Sequence, residues 1–210
     1  MENATLKIGI IVSNNLALFD FDGTLTTKDS LGEFIKFAKG NSTYYFGLVR
    51  FSPYFIMWKL GFMKNYKAKE KLFMLFFKDM SEYYFKKIAS QYGLSKIYKI
   101  QRESTYKIFL QHIKDGDRVV VVSASMRCWL EPWTKKHNVE LLSTELEFKD
   151  SKFSGKFATK NCHGKEKVNR IKELLDTSEY ETIYAYGDSS GDKEMLDLAN
   201  VKYYKGKYLE

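Results

Sequence analysis

Three short, continuous runs of apolar residues are spaced along the chain, and an Asp, Ser or Gly stands at the end of each. They lie within residues 16–19, 117–123 and 182–186. Continuous runs, unlike strict alternation of apolar and polar positions, are typical of strands buried on both faces of a parallel sheet. The pattern therefore predicts three buried strands, each followed by a polar loop.

Segments with helical spacing separate these strands, as in an alternating α/β fold. They cover residues 104–114, 126–137, 164–175 and 192–199. A last short strand is predicted at 201–204, and alternating positions between 141 and 157 predict a hairpin that turns at 149–151. We therefore expect an α/β fold built on a doubly wound parallel sheet of the Rossmann-like type.

The segment 30–101 departs from this alternation, because it is long, aromatic and basic and has no strand-like run. Helical spacing at 69–77 and 82–92 predicts an all-helical insertion over the carboxyl edge of the sheet. We therefore expect a Rossmann-like core formed by residues 1–29 and 102–210, and a helical cap formed by residues 30–101.

The most apolar part of this insertion is residues 44–63, and Arg50, Pro53 and Lys59 interrupt it. A helix that spans a membrane needs about 20 consecutive, mainly apolar residues. We therefore expect no spanning helix, although a helix that lies in the membrane interface remains an alternative.

The composition indicates a globular chain with an uneven charge. Hydrophobic residues make up 44% and aromatic residues 16% of the 210 residues, which argues against disorder. The net charge is +8, and residues 30–115 alone hold 16 Lys and Arg against 6 Asp and Glu. Such a surplus is ordinarily a solvated face, but it can also attract an acidic substrate or an anionic membrane.

Two features of the sequence concern the cellular compartment. Cys128 and Cys162 are too few for a disulfide framework, and their spacing is not that of a zinc site. The apolar run at residues 8–12 has no Arg-rich segment before it and no small-residue cleavage site after it. We therefore expect reduced thiols, no signal peptide and a cytoplasmic location.

The residues after the first strand are the first candidates for chemistry, because ligands usually bind at the carboxyl edge of a parallel sheet. The segment Asp20-Phe-Asp22-Gly23 places two carboxylates where they can face one small site, and Gly23 permits a sharp turn. Taken alone, the same residues are equally those of an ordinary turn.

The other two strand ends carry different polar groups. The loop after the second strand is Ser123-Ala124-Ser125, where a hydroxyl and backbone amides can bind an anion, although an isolated Ser is more often an N-cap. Asp188 and Asp192 follow the third strand, where the first can bind a metal and the second can interact with a helix dipole. Lys167 lies on the helix before that strand, and taken alone it is an ordinary surface charge.

The order of these motifs, from Phe19 to Asp192, resembles the signature of the haloacid dehalogenase-like phosphohydrolases. The matching segments are FDFDGTLT, VVVVSAS, the second Lys of NCHGKEK, and YAYGDSSGD. The helical insertion between the first two motifs resembles the cap of the phosphoserine phosphatase-like branch. Because the resemblance covers nearly the whole chain, it implies the fold and the chemistry of this superfamily.

The resemblance implies a role for each carboxylate of the site. Asp20 is expected to attack the phosphoester and form an aspartyl-phosphate, and Asp22 to protonate the leaving group and later activate water. Dehalogenases of the superfamily lack an acid at the position of Asp22, so its presence favours phosphoryl chemistry. Magnesium is expected as cofactor, held by Asp20, the backbone carbonyl of Asp22, and Asp188.

The resemblance also implies a clamp for the phosphoryl oxygens. Ser123, the backbone amide of Ala124 and Lys167 are expected to bind these oxygens where negative charge develops. Asp192 is expected to orient Lys167 or a metal-bound water. Lys165 lies near Lys167, but the spacing within NCHGKEK favours Lys167 as the clamp.

The substrate is less well specified than the reaction. Phosphoserine phosphatases typically bind the substrate with a cap Glu and a cap Arg, whereas here Lys67 lies near the Glu position and no Arg occurs between Arg50 and Arg102. Residues 51–61 and the NCHG motif resemble a bacterial group that includes phosphatidylglycerophosphate phosphatases. The two alternatives for the substrate are a phosphoserine-like metabolite and a lipid phosphate. The aromatic residues of the insertion have two corresponding interpretations: they form its core, or they receive an apolar substrate.

Three classes of function follow from these features. The first is a magnesium-dependent phosphomonoester hydrolase, and the second is a phosphotransferase or mutase that uses the same phosphoenzyme. The third is a membrane-binding or nucleic-acid-binding module on a decayed enzyme scaffold, against which the complete motifs argue. Because an RNA-reading aromatic motif is absent from the sequence, we expect a small phosphate monoester as partner and no nucleic acid, with peripheral contact to an anionic membrane as a further alternative.

Overall fold

A computed structural model describes residues 13–210. The segment 1–12, on which the expectation about a signal peptide rests, lies outside the described residues. A sheet of six strands has the spatial order β3-β2-β1-β6-β7-β8, and β4 and β5 form a separate hairpin. The strands are β1 (Asn15–Phe19), β2 (Arg118–Met126), β3 (Glu140–Thr144), β4 (Leu146–Lys149), β5 (Lys152–Phe157), β6 (Thr182–Gly187), β7 (Val201–Tyr204) and β8 (Lys207–Leu209).

Eight helices surround the sheet in the described part of the chain: α1 (Ser30–Lys39), α2 (Asn41–Lys59), α3 (Asn65–Phe77), α4 (Glu82–Ser95), α5 (Glu103–Lys114), α6 (Arg127–Lys136), α7 (Lys165–Leu174) and α8 (Lys193–Leu196). The first four lie between β1 and α5 in sequence. The described residues contain no helix that is both long enough and apolar enough to span a membrane.

Alternate residues of β1 face opposite sides of the sheet, and both sides are covered. Ala17 and Phe19 belong to a cluster that includes Trp129 and other aromatic residues of α5 and α6. Leu16 and Leu18 belong to a second cluster, formed with residues of α7 and α8. Since β1 pairs in parallel with both β2 and β6, the predicted α/β fold with a doubly wound, mostly parallel sheet is confirmed.

The first cluster extends into α1, α3 and α4. Phe34, Phe73, Phe85 and Tyr92 are buried in it. The ring of Phe34 stacks on that of Trp129, with ring centroids 4.7 Å apart. These aromatic residues therefore form one continuous core with the helices on the sheet.

The hairpin β4–β5 packs on the helices of the insertion, although it lies far from them in sequence. Phe153 is buried against Phe73 and Phe85, with ring centroids 6.0 Å and 5.9 Å apart. The backbone amide of Glu82 donates to the carbonyl of Ser151 over 2.8 Å. The turn of the hairpin falls at residues 150–151, where both residues have positive φ angles, within the predicted turn.

Three elements differ from the sequence prediction. β3 is a separate parallel strand beside β2, and β8 is a three-residue strand. Neither is predicted, because β3 lies at a sheet edge with only its last two residues buried, and all three residues of β8 are exposed. The helix predicted at 192–199 is limited to α8, a four-residue helix at Lys193–Leu196.

Candidate active site

The carboxyl ends of β1, β2 and β6 bring the candidate residues together at one edge of the sheet. The backbone amide of Asp20 donates to the carbonyl of Tyr186 over 2.9 Å, which continues the pairing of β1 with β6. One carboxylate oxygen from each of Asp20, Asp188 and Asp192 lies within 4.8 Å of the other two. β1 lies between β2 and β6, at the kind of position where doubly wound sheets bind ligands.

The turn after Asp20 depends on glycine at position 23. Gly23 has a φ angle of +83°, and a Cβ atom there would lie 2.1 Å from Oδ2 of Asp188. The guanidinium of Arg102 donates to the carbonyl of Gly23 over 3.0 Å. Glycine therefore allows both the backbone conformation and the close approach of the first and third loops.

The carboxylate of Asp22 is held by donors from two distant parts of the chain. Its Oδ1 accepts from the backbone amide of Ser30 over 2.7 Å, and its Oδ2 accepts from the hydroxyl of Ser125. Ser30 is itself fixed, because the indole of Trp129 donates to its hydroxyl over 3.2 Å and the hydroxyl of Tyr92 donates to its carbonyl over 3.1 Å. The start of α1 therefore sets the orientation of Asp22.

Lys167 is a buried cation at the centre of the site. Its Nζ donates to Oδ1 of Asp20 over 2.6 Å, to Oδ1 of Asp192 over 2.6 Å and to the carbonyl of Val122 over 2.7 Å. The residue is 1% exposed, whereas Lys165 is exposed. The alternative that Lys167 is an ordinary surface charge is therefore wrong.

Asp192 links Lys167 to the loop after β6. Its Oδ2 accepts from the amides of Asp188 and Ser189, over 3.2 Å and 2.9 Å, and from the Ser189 hydroxyl over 2.8 Å. Burial raises the pKa of Asp192, but the opposite charge and hydrogen bond of Lys167 outweigh burial, so the pKa lies below its usual range. Asp192 is therefore ionised, and both of its oxygens are engaged.

The two carboxyls of the Asp20 loop have raised pKa values. Burial is the main cause for Asp20, where Asp192 adds to the effect and Lys167 opposes it, and the pKa of Asp20 lies well above its usual range. Burial, with a further contribution from Asp29, raises the pKa of Asp22 to about 6. A carboxyl with a pKa near neutral is suited to proton transfer.

Ser123 and Ala124 lie within β2 and not in a loop, which corrects the sequence prediction. The strand continues to Met126, with a shift of register against β3 between Ser123 and Met126, and α6 begins at Arg127. The hydroxyl of buried Ser123 accepts from the amide of Ser125 over 3.0 Å. Ser123 is therefore not the N-cap of α6, and the irregular end of the strand allows Ser125 to reach Asp22.

Sequence reasoning did not identify Lys69, which extends from α3 toward the same strand. Its Nζ donates to the carbonyl of Ala124 over 3.4 Å. Lys67, which the sequence comparison placed near the cap Glu position, is exposed. Four lysines lie between residues 64 and 71, and helical spacing alone does not tell which of them faces the sheet.

Ser30 and Ser125 were also missed as neighbours of Asp22. Their hydroxyl oxygens lie 3.0 Å apart although the two residues are separated by 95 positions in sequence. The only sequence signal was the second Ser of the VVVVSAS motif, and nothing in the sequence linked it to Ser30.

The carboxylates of the site fit a hard cation. Among residues 13–210, no hydrogen bond is donated to the carboxylate of Asp188, and burial, followed by the charge of Asp192, raises its pKa. Lys167 is a single positive charge beside Asp20 and Asp192. Carboxylate and carbonyl oxygens are the ligands that magnesium prefers, so these residues can hold this ion.

The chain is similar to known proteins over most of its length. A model of the haloacid dehalogenase-like hydrolase family matches residues 17–197. Protein CicA of Caulobacter vibrioides is 31% identical over 192 residues, which cover 90% of this chain and 85% of CicA.

Two solved structures share the fold. A Bordetella pertussis Tohama I protein of unknown function is similar with a TM-score of 0.76 and 20% identity, over 90% of this chain and 89% of that chain. A phospho-aspartyl intermediate analogue of phosphoserine phosphatase is similar with a TM-score of 0.58 and 21% identity, over 90% of this chain and 85% of that chain.

Proposed function

Since the chain belongs to the haloacid dehalogenase-like hydrolases and has the fold of their phosphoserine phosphatase-like branch, we propose that it is a magnesium-dependent phosphomonoester hydrolase. The observation that carries this proposal is the different environment of two neighbouring carboxyls. Burial raises the pKa of both, but Asp20 is paired with the cation of Lys167, whereas the amide of Ser30 and the hydroxyl of Ser125, which donate to Asp22, are neutral. Two carboxyls in different environments suit two roles, one as nucleophile and one as acid and base.

The reaction begins with Asp20 as nucleophile. A carboxylate oxygen of Asp20 forms a bond to phosphorus as the bond from phosphorus to the ester oxygen breaks, which gives an aspartyl-phosphate. Asp22 donates its proton to the leaving alkoxide. In the second half, Asp22 takes a proton from the water that attacks phosphorus, and the carboxylate of Asp20 is released with inorganic phosphate.

The phosphoryl oxygens are held by Ser123, the amide of Ala124 and Lys167. Lys167 is already in place next to Asp20, and Asp192 fixes its Nζ from the other side. Donors that are fixed before the reaction stabilise developing charge without a cost of reorganisation. Asp192 therefore serves as a positioning residue for Lys167.

Asp20, the backbone carbonyl of Asp22, and Asp188 would hold the magnesium ion. When bound, the ion supplies positive charge that offsets the repulsion between an anionic nucleophile and an anionic ester. The bare carboxylate of Asp188 and the raised pKa values of Asp20 and Asp188 support this proposal.

We also propose how the chain is divided into a catalytic core and a cap. Residues 1–29 and 102–210 form the catalytic core, and residues 30–101 form a cap that covers the carboxyl edge of the sheet. The contact of Lys69 on α3 with the carbonyl of Ala124 supports this arrangement. The free cysteines Cys128 and Cys162 support a reducing, cytoplasmic location.

The substrate is proposed to be a phosphate monoester with a further negative charge or an apolar tail, and phosphoserine is expected to be a poor substrate. Lys69 places a positive charge near the end of β2, which favours an additional anionic group on the substrate. The insertion has no Arg between Arg50 and Arg102 that could bind an amino-acid carboxylate.

Phosphate release from a panel of monoesters, with and without magnesium, tests the proposal. The Asp20→Asn variant is expected to retain less than about 1% of the activity, because an amide is no nucleophile, and to keep the wild-type circular dichroism spectrum. Free phosphate as product distinguishes a hydrolase from a phosphotransferase or mutase. Substantial activity in the variant, or equal activity with and without magnesium, would contradict the mechanism.

A further inference from the structure

Helix α2 carries an unusual share of the exposed apolar surface. Of the 19 large hydrophobic side chains that are exposed in the described residues, nine lie between residues 45 and 62. They include Ile56 at 55%, Leu60 at 65% and Phe62 at 78% exposure. Single exposed apolar residues are normal on proteins, whereas a contiguous group marks an interaction site.

The buried residues of α2 lie within its first eleven positions. Gly47 and Phe51 are its buried residues, and Gly47 lies against the ring of Phe76 on α3. In the second half, Trp58 is partly buried and every other residue from 52 to 60 is exposed. The end of α2 and the loop that follows therefore extend from the body of the protein with their apolar side chains unpacked.

Positive charge surrounds this apolar segment. Residues 34–69 contain seven Lys and Arg and no Asp or Glu. Lys59 lies on the segment itself, where its Nζ stands 4.9 Å from the centre of the Trp58 ring, and exposed Lys64 is the last residue of the loop. Long Lys side chains can lie along apolar surface while their charged ends remain in water.

We propose that the second half of α2 and the following loop, residues 52–64, dock on an anionic lipid bilayer. An anionic bilayer matches both features, because its interface accepts aromatic and aliphatic side chains and its headgroups attract lysines. A second copy of the chain would match the apolar side chains, but it would bring two acid-free basic segments together. A nucleic acid would match the charge and leave the six exposed apolar side chains of residues 52–64 in water.

Vesicle flotation tests this docking directly. The protein is expected to float with vesicles of phosphatidylcholine and phosphatidylglycerol at low salt, and to remain largely unbound with phosphatidylcholine alone. Binding to the mixed vesicles is expected to fall as salt rises, because attraction between exposed charges is screened beyond about 10 Å at 0.1 M salt.

Two double variants distinguish docking through this segment from attraction by the overall positive charge of the protein. Lys59→Gln with Lys64→Gln is expected to weaken binding roughly 30-fold, from a contribution of about fivefold for each Lys. The matched control, Lys114→Gln with Lys172→Gln, removes the same charge from exposed positions on α5 and α7 and is expected to bind like the wild type. Equal weakening in both would overturn the proposed site in favour of general positive charge.

Two triple variants test the contribution of the exposed apolar side chains. Ile56→Ser, Leu60→Ser and Phe62→Ser together are expected to abolish flotation, whereas Tyr83→Ser, Leu94→Ser and Tyr98→Ser, which are similarly exposed on and after α4, are expected to leave it unchanged. The far-ultraviolet circular dichroism spectrum serves as a check that all variants are folded. The docking result does not depend on the proposed activity, since flotation measures binding alone.

The fluorescence of Trp58 reports on contact between the proposed surface and lipid. Trp129 and Trp133 are buried, at 0% and 4% exposure, whereas Trp58 lies on the proposed surface. Brominated lipids are therefore expected to quench the fluorescence of the wild type and to have little effect on Trp58→Phe. No flotation at low salt, or a dimer in solution that the apolar triple variant dissociates, would overturn the proposal.

Discussion

At the scale of single residues, Asp22 is set apart from Asp20 by the groups that hold it. The donors to its carboxylate are the amide of Ser30 and the hydroxyl of Ser125, which are neutral. Burial raises the pKa of both carboxyls, to about 7 for Asp20 and about 6 for Asp22, so the neighbouring groups and not the pKa values distinguish them. Asp20, in contrast, has Lys167 at 2.6 Å. The side chains around each carboxyl therefore account for their different proposed roles.

The Asp22→Asn variant tests the acid and base role. Both half-reactions are expected to slow by roughly 10²–10⁴-fold, because an amide neither donates a proton to the leaving group nor activates water. Esters with good leaving groups, such as p-nitrophenyl phosphate, are expected to regain much of the first step. Mass spectrometry is then expected to detect accumulated phosphoenzyme, and an equal loss for good and poor leaving groups would argue against this role.

Lys69 is the residue we expect to influence substrate choice. Lys69→Gln is expected to raise KM about tenfold for monoesters with a second anionic group, since hydrogen bonds to charged groups contribute about 1.5–3 kcal/mol. The kcat of p-nitrophenyl phosphate should change little. Lys67→Gln is the matched control, because Lys67 is exposed on the same helix. If both variants behave alike, Lys69 has no special contact with the substrate.

At the scale of elements, the hairpin β4–β5 connects the insertion to the remainder of the chain. It is reached through β3 in sequence, yet its buried Phe153 lies among aromatic residues of α3 and α4. Backbone hydrogen bonds join it to the start of α4, with Phe153 donating to the carbonyl of Met80 over 2.9 Å. The hairpin therefore covers one side of the helices of the insertion, although it lies far from them in sequence.

Removal of the Phe153 ring is expected to destabilise the protein strongly. Phe153→Ala should lower the free energy of unfolding by about 3–5 kcal/mol, because the variant loses buried apolar surface and leaves a cavity. Urea denaturation measures the change. Phe62→Ala is the control, since Phe62 is 78% exposed, and its effect should be small. Equal effects would mean that the hairpin contributes little to the packing of the insertion.

At the scale of the whole molecule, the insertion and the sheet share one apolar cluster. Phe34 of α1 and Phe73 of α3 stack with Trp129, which belongs to α6 next to the sheet. The same Trp129 donates to Ser30, which positions Asp22. Packing in the centre of the molecule is therefore coupled to the geometry of the candidate active site.

This shared cluster predicts cooperative unfolding of core and insertion. Far-ultraviolet circular dichroism and tryptophan fluorescence are expected to give one coincident thermal transition, as in single cooperative domains. Trp129 reports on the junction and Trp58 on the end of α2. Two separated transitions would show that the insertion unfolds independently of the sheet.

The sequence by itself determined the parallel sheet and the identity of most candidate residues. Continuous apolar runs can be buried only between two layers, and the residues after them meet at one edge, so Asp20, Ser123 and Asp188 could be grouped from their positions, whereas Lys167 joined them only through the resemblance to the family. The motifs also favoured Lys167 over Lys165, and the structure buries the first and exposes the second.

Tertiary structure alone decided which distant side chains complete the site and which apolar residues remain outside the core. Ser30 and Ser125 meet across 95 positions, and Lys69 was one lysine among four in its segment. Buried Phe34, Phe73 and Phe85 lie on α1, α3 and α4, whereas Tyr54 and Phe55 near the end of α2 are exposed, although both sets are aromatic in the sequence. The physical reason is that local pattern specifies the elements, whereas burial depends on which faces of the packed elements find a partner.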